Sequence, residues 1–115
     1  MKETRLGDFE EAILLITGIL GETAYALKIT EEFRKQTNRS VSIGMVHSAL
    51  TRLSDKGFLS SEMGRSTPER GGRRKRIYTV TAIGQRALEA SRDFRMTLWN
   101  QYPGFQTGSL SISII

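Results

Sequence analysis

The sequence has no cysteine, one histidine, two prolines and one tryptophan. Without cysteine there is no disulfide, no thiolate metal site and no cysteine nucleophile. That composition fits a reducing cytoplasm. The lone histidine, His47, excludes a histidine-rich metal cluster. No second histidine or paired carboxylates form a plausible acid–base site with it, so the chain reads as a non-enzyme with no cofactor. Glu31 and Glu32 read as surface charge, and Gly71-Gly72 is too short and isolated to be a nucleotide loop. Long apolar runs are missing too. The longest, residues 12–16, is far too short to cross a bilayer. The opening Met1-Lys2-Glu3-Thr4-Arg5 has no apolar signal core behind it. The expectation is a cytoplasmic protein with no membrane partner.

What is present suits one globular unit: 115 residues, 38% hydrophobic and 25% charged. A core of this size is thin, and a second copy would help to stabilise it. The net charge of +5 is unevenly spread. Residues 1–38 carry five basic and seven acidic groups, whereas residues 39–80 carry nine and three. Residues 81–115 are nearly balanced, with three and two. A basic patch confined to the middle third is the electrostatic footprint of a polyanion partner, against the plainer reading of a solubilising surface.

Periodicity places the elements. Phe9, Ile13, Ile16 and Leu20 recur at helical spacing, with Ala12, Leu15 and Ile19 beside them, so residues 8–20 form a helix with a wide buried stripe. Asp8, Glu10 and Glu11 suit its first turn, and Gly21 ends it. A second helix is expected from the candidate N-cap Thr23 to about Thr37, with Tyr25, Ile29 and Phe33 on one face. Asn38-Arg39-Ser40 reads as a turn. A third helix starts near the cap Ser42 and ends at Gly57, with Val46, Ala49, Leu50 and Leu53 inward. Its opposite face carries Gly44, Ser48, Thr51, Arg52 and Asp55, flanked by Met45, His47 and Lys56. Small polar residues with one long arginine are an unusual choice for a merely solvated face. They let a helix approach another surface and hydrogen-bond to base edges or phosphates.

After Gly57 the period changes. Residues 58–63 and 74–80 read as strands, the second rich in β-formers at Ile77, Tyr78, Thr79 and Val80. The basic loop between them holds Arg65, Arg70 and Arg73, and Arg74, Lys75 and Arg76 follow. Thr81 caps a last helix with the stripe Ile83, Ala87, Ala90, Phe94 and Leu98, and Trp99 and Tyr102 extend its apolar surface. Pro103-Gly104 stops it. Weak alternation at Leu110, Ile112 and Ile114 leaves the tail open between a strand, a partner contact and a loose end.

The predicted fold is mainly α with a small β-hairpin: a winged helix-turn-helix over residues 1–80, a C-terminal helix over 81–103 and a tail over 104–115. In that fold the third helix enters the major groove of double-stranded DNA through Ser42, Gly44, Met45, His47, Ser48, Thr51 and Arg52. The wing grips phosphate or the minor groove through Arg65, Arg70, Arg73, Arg74, Lys75 and Arg76. The alternatives are a dimeric protein-interaction module and a small-molecule-sensing scaffold without specific DNA binding. RNA binding is disfavoured, because no sheet offers an aromatic platform.

From about Leu6 to about Trp99 the chain resembles the PadR family, named for a phenolic acid decarboxylase repressor. The resemblance is carried by Ser42-Ile43-Gly44-Met45-Val46-His47-Ser48-Ala49-Leu50-Thr51-Arg52-Leu53 with Lys56-Gly57-Phe58-Leu59, and by Arg76-Ile77-Tyr78-Thr79-Val80-Thr81-Ala82-Ile83-Gly84. It implies a homodimeric transcriptional repressor on a palindromic operator, with the last helix in the dimer interface. That assigns Phe94, Leu98 and Trp99 to the interface, or to a platform for a small flat aromatic effector. One departure is His47, where the family usually has tyrosine.

Overall fold

A computed structural model describes residues 6–64 and 74–104 of the chain. Helix α1 (Asp8–Leu20) is followed by a 3₁₀ turn (Gly21–Thr23), α2 (Ala26–Thr37), α3 (Ile43–Asp55), strands β1 (Leu59–Met63) and β2 (Arg76–Val80), and α4 (Ala82–Gln101). Three helices, a hairpin and a closing helix are the expected order. The loop residues Arg65, Arg70 and Arg73, and the tail beyond Gly104, lie outside the described residues.

Local chemistry sets most boundaries. Acidic Asp8, Glu10 and Glu11 fill the first turn of α1, where the helix dipole favours them. Gly21, at φ 58°, closes the helix by donating its N–H to the Thr17 carbonyl. Asn38 ends α2 in the left-handed region, φ 54°. The following turn is held by Arg34, whose Nε and Nη2 both donate to the Val41 carbonyl, at 3.1 and 2.7 Å. Ser42 caps α3 by accepting from the Met45 N–H at 3.1 Å. At the other end Gly57, φ 82°, forms a Schellman arrangement: Phe58 N–H donates to the Leu53 carbonyl and Gly57 N–H to that of Ser54.

One expected boundary is corrected. Thr23 does not cap α2, because its hydroxyl donates back to the Leu20 carbonyl within the 3₁₀ turn. The helix starts at Ala26, after Tyr25 in extended geometry with no side-chain cap. The segment is held out of the helix by β2: the Tyr78 N–H donates to the Ala24 carbonyl at 2.9 Å. Backbone that bonds sideways to a strand cannot also wind into a helix.

The hairpin is antiparallel, with Leu59 opposite Val80, Ser61 opposite Tyr78 and Met63 opposite Arg76. Its base is tied to α4. Thr81 N–H donates to the Phe58 carbonyl, and Thr81 Oγ1 donates to the Gly57 carbonyl while accepting from the Gly84 N–H. Gly84 lies directly on the Phe58 backbone, where a Cβ would collide with the carbonyl oxygen.

The core joins α1, α2, α3 and the hairpin base. Ile13, Leu14, Ile29, Val46, Leu50 and Leu53 are fully buried, with Phe33 almost so. Each such side chain contributes about 1.5–3 kcal/mol of transfer free energy. The α3 stripe is as expected, but α1 is narrower than its sequence suggests. Leu14, outside the predicted stripe, is in the core, whereas Leu15 and Ile19 are exposed. Phe9 stacks edge-on against Phe33 with ring centres 5.2 Å apart.

Candidate nucleic-acid interface

Helix α3 buries Val46, Ala49, Leu50 and Leu53. With that stripe committed to the core, the helical period turns Gly44, Ser48, Thr51, Arg52 and Asp55 to solvent, together with Met45 and His47. All of them are exposed, as is the cap Ser42.

Gly44 is informative because nothing among the described residues needs it. A Cβ there would meet only Ser42 Oγ, at 3.8 Å, which is ordinary contact. Its φ lies in the helical range, so no left-handed conformation requires glycine either. Glycine in a helix costs about 0.5–1 kcal/mol relative to alanine. The cost returns nothing to the fold. The missing side chain leaves the exposed first turn of α3 bare.

Arg52 is not a free arginine on this face. Its Nε donates to Glu10 Oε2 at 2.6 Å, and Lys56 Nζ donates to Glu10 Oε1 at 2.8 Å. Glu10 comes from the first turn of α1 and is only 8% exposed. Burial alone would push its carboxyl up, but hydrogen bonds from Lys56 and Arg52, and their charges, hold it below its ordinary value. The guanidinium of Arg52 is half exposed, while Lys56 is largely enclosed.

The described wing cations are also engaged. Arg74 Nε donates to the Gly64 carbonyl at 3.0 Å, and an Arg76 guanidinium nitrogen donates to Ser61 Oγ at 3.0 Å. Lys75 Nζ stands 5.1 Å from the centre of the Tyr25 ring. Arg74 and Arg76 remain exposed. They form the stem of the wing.

The third group of predicted residues sits elsewhere. Phe94, Leu98 and Trp99 are on α4, which packs along α1. Phe94 is 64% and Leu98 51% exposed, and Ile83 on the same stripe is exposed too. Trp99 meets Tyr102 edge-on, ring centres 6.0 Å apart. At 100° per residue it falls about 140° around the helix from Phe94, so the tryptophan and the stripe point different ways. On the α1-facing side Arg95 bonds Asp8 at 2.7 Å and Glu11 at 3.1 Å.

Two residues that the sequence analysis passes over belong with the α3 surface. Ile43 opens the helix and is exposed beside Met45. Arg39, in the turn before it, lies 5.7 Å from the centre of the Phe33 ring and is exposed. Their signal in the sequence is position alone: Ile43 follows the Ser42 cap directly and Arg39 precedes it by three residues. Glu10 has no signal at all, because its partners are 42 and 46 residues away.

Comparison with known proteins gives a consistent result. A family model described as the transcriptional regulator PadR-like family matches residues 16–90. A PadR-like transcription factor from Bacteroides fragilis is 30% identical, over 82% of this chain and 89% of its own, at TM-score 0.62. A PadR-like transcriptional regulator from Bacillus cereus is 20% identical, over 81% and 85%, at TM-score 0.67. Bacillus subtilis PadR, solved with operator DNA, is 22% identical, over 72% of this chain and 45% of its own, at TM-score 0.59. No curated protein matches the chain.

Proposed function

The chain belongs to the PadR-like family, whose members are transcriptional regulators and not enzymes, and from that premise we propose that it is a sequence-specific DNA-binding repressor acting as a homodimer on a palindromic operator. The observation that carries the DNA reading is the exposed face of α3. It is small and polar, it is bare at Gly44, and it stands ready for the major groove. Ser42, Gly44, Met45, His47, Ser48 and Thr51 are the groups assigned to base edges and nearby phosphates. The histidine offers a ring N–H donor at the position where the family usually presents a tyrosine hydroxyl. The wing, with its exposed Arg74 and Arg76, is assigned to the flanking backbone. The operator complex of the Bacillus subtilis protein supports the same partner for this fold.

The dimer reading rests on α4. Its residues Ile83, Phe94 and Leu98 lie on one stripe and are exposed, and large apolar side chains left open on a small protein mark an interaction surface. A second copy related by a two-fold axis would present the same stripe in return. Two recognition helices so related would read inverted half-sites.

The test is a mobility-shift titration of the DNA upstream of the gene, followed by footprinting. Specific binding should fall steeply with salt, with a log–log slope of about −0.9 per phosphate neutralised. Replacing Arg73, Arg74 and Arg76 together by glutamine should weaken binding to all sequences alike and flatten that slope. Non-specific binding untouched by the triple change overturns the wing assignment. No measurable affinity at low salt overturns the DNA reading and favours a protein-interaction module.

A further inference from the structure

Nine of the 17 basic residues lie between residues 39 and 80, yet Arg52 of α3 and Lys56 at its C-cap already share a carboxylate. Glu10 is nearly buried, and each of its oxygens takes one of them: Oε2 the Arg52 guanidinium, Oε1 the Lys56 ammonium. We propose that Glu10 is a masking residue, which withholds Arg52 and Lys56 from the DNA backbone so that α3 reads bases without adding to sequence-independent grip. The inference rests on the DNA reading above and adds to it a source of specificity.

The geometry makes the mask hard to lift. Lys56, enclosed at the carboxylate, must leave Glu10 to reach a phosphate, and a buried carboxylate stripped of a partner is strongly unfavourable, while Arg52, tethered through Nε, can turn only its remaining N–H groups outward and carries a charge already partly offset by Glu10. Glu10 cannot follow its partners outward, because the turn that carries it is pinned on both sides. Phe9 is packed on Phe33, and Glu11 and Asp8 are bonded to Arg95 of α4. Lys56 is only 15% exposed at its side chain, so it is already withdrawn from solvent. Arg52 is 52% exposed but has its Nε committed.

The consequence is a division of labour. Non-specific affinity comes almost wholly from phosphate neutralisation. A recognition helix with two free cations would bind every sequence more tightly and lower the ratio of specific to non-specific binding. With the pair held by Glu10, phosphate grip is left to the wing, and the base-reading surface keeps its hydroxyls, imidazole and apolar groups.

The decisive experiment measures the salt dependence of binding to a random-sequence duplex by fluorescence anisotropy. It compares the wild type with Arg52→Gln, Lys56→Gln and Glu10→Gln. The first two each leave Glu10 one cation. The mask predicts that neither changes the log–log slope and that affinity at fixed salt moves less than about twofold. Glu10→Gln, checked by circular dichroism for the native helical signal, removes the carboxylate charge that Arg52 and Lys56 share. Its slope should steepen by about 0.9 per protomer for each phosphate newly met, and non-specific affinity should rise. A slope flattened by about 0.9 per protomer in Arg52→Gln or Lys56→Gln shows direct phosphate contact and overturns the proposal. So does a folded Glu10→Gln with an unchanged slope. If Glu10→Gln does not fold, the two single cation variants decide alone. A wild type that binds no duplex at low salt overturns the DNA reading itself, and the mask with it.

Discussion

Replacing Gly44 by alanine should move stability and DNA affinity in opposite directions. The added Cβ meets nothing but Ser42 Oγ at 3.8 Å, and the backbone there is already helical. The fold therefore gains helix propensity without strain, about 0.5–1 kcal/mol, part of it from a less flexible unfolded chain. For a chain of this size that raises the midpoint of thermal unfolding by roughly 2–6 °C. On DNA the same methyl stands between the first turn of α3 and the groove. If that turn sits at van der Waals distance, the helix must tilt or retreat, and the hydrogen bonds of Ser48 and its neighbours lengthen. A tenfold loss of operator affinity, about 1.4 kcal/mol, is expected. Thermal scans by circular dichroism, at matched protein concentration because the proposed dimerisation would couple to stability, measure the first effect. Anisotropy titration on the footprinted operator measures the second. A stabilised protein with unchanged affinity would refute the close approach of this turn to DNA. A lower melting temperature would refute the claim that the fold has no use for the glycine.

Three further outcomes follow from the same structure. Gly84→Ala should destabilise by about 2 kcal/mol, because its Cβ runs into the Phe58 carbonyl, which is backbone and cannot swing aside. Gly18→Ala, whose Cβ would meet only Val80 Cγ2 at 3.7 Å, is the control, and equal melting temperatures for the two variants refute the packing account. Phe94→Glu puts a charge in the exposed α4 stripe and should yield monomers in light scattering, while an unaltered mass excludes that stripe as the dimer interface. The Glu10 carboxyl is held below its ordinary value of 4.5, so its contribution to stability is complete above that pH and is lost as pH falls through the folded-state value. Denaturation curves of the wild type and Glu10→Gln should therefore differ at neutral pH and converge in acid, and a pH-independent gap contradicts the assignment.

Several of these residues were legible before any coordinates, and several were not. Ser42 and Thr81 were expected caps, and each accepts a backbone N–H three residues on, from Met45 and Gly84. The inward stripe of α3 could be read because it lies on one helix with a simple period, and its exposed face followed from the same arithmetic. The wide stripe of α1 misled. Leu15 and Ile19 count as apolar in any pattern, but only the placement of the neighbouring elements leaves them outside and brings Leu14 in.

The amino-acid sequence determined the order of elements, the caps of α3 and α4, the exposed face of α3 and the basic wing stem, because each depends on residues within about two helical turns of one another. The tertiary structure alone decided where α2 begins, since the Ala24 carbonyl is claimed by Tyr78 of a strand 54 residues further on. It alone decided that Arg52 and Lys56 face a carboxylate from α1, and that Gly84 must be bare to meet Phe58. These contacts join segments far apart in the chain, and no local pattern encodes which distant partner a residue will meet once the core has closed.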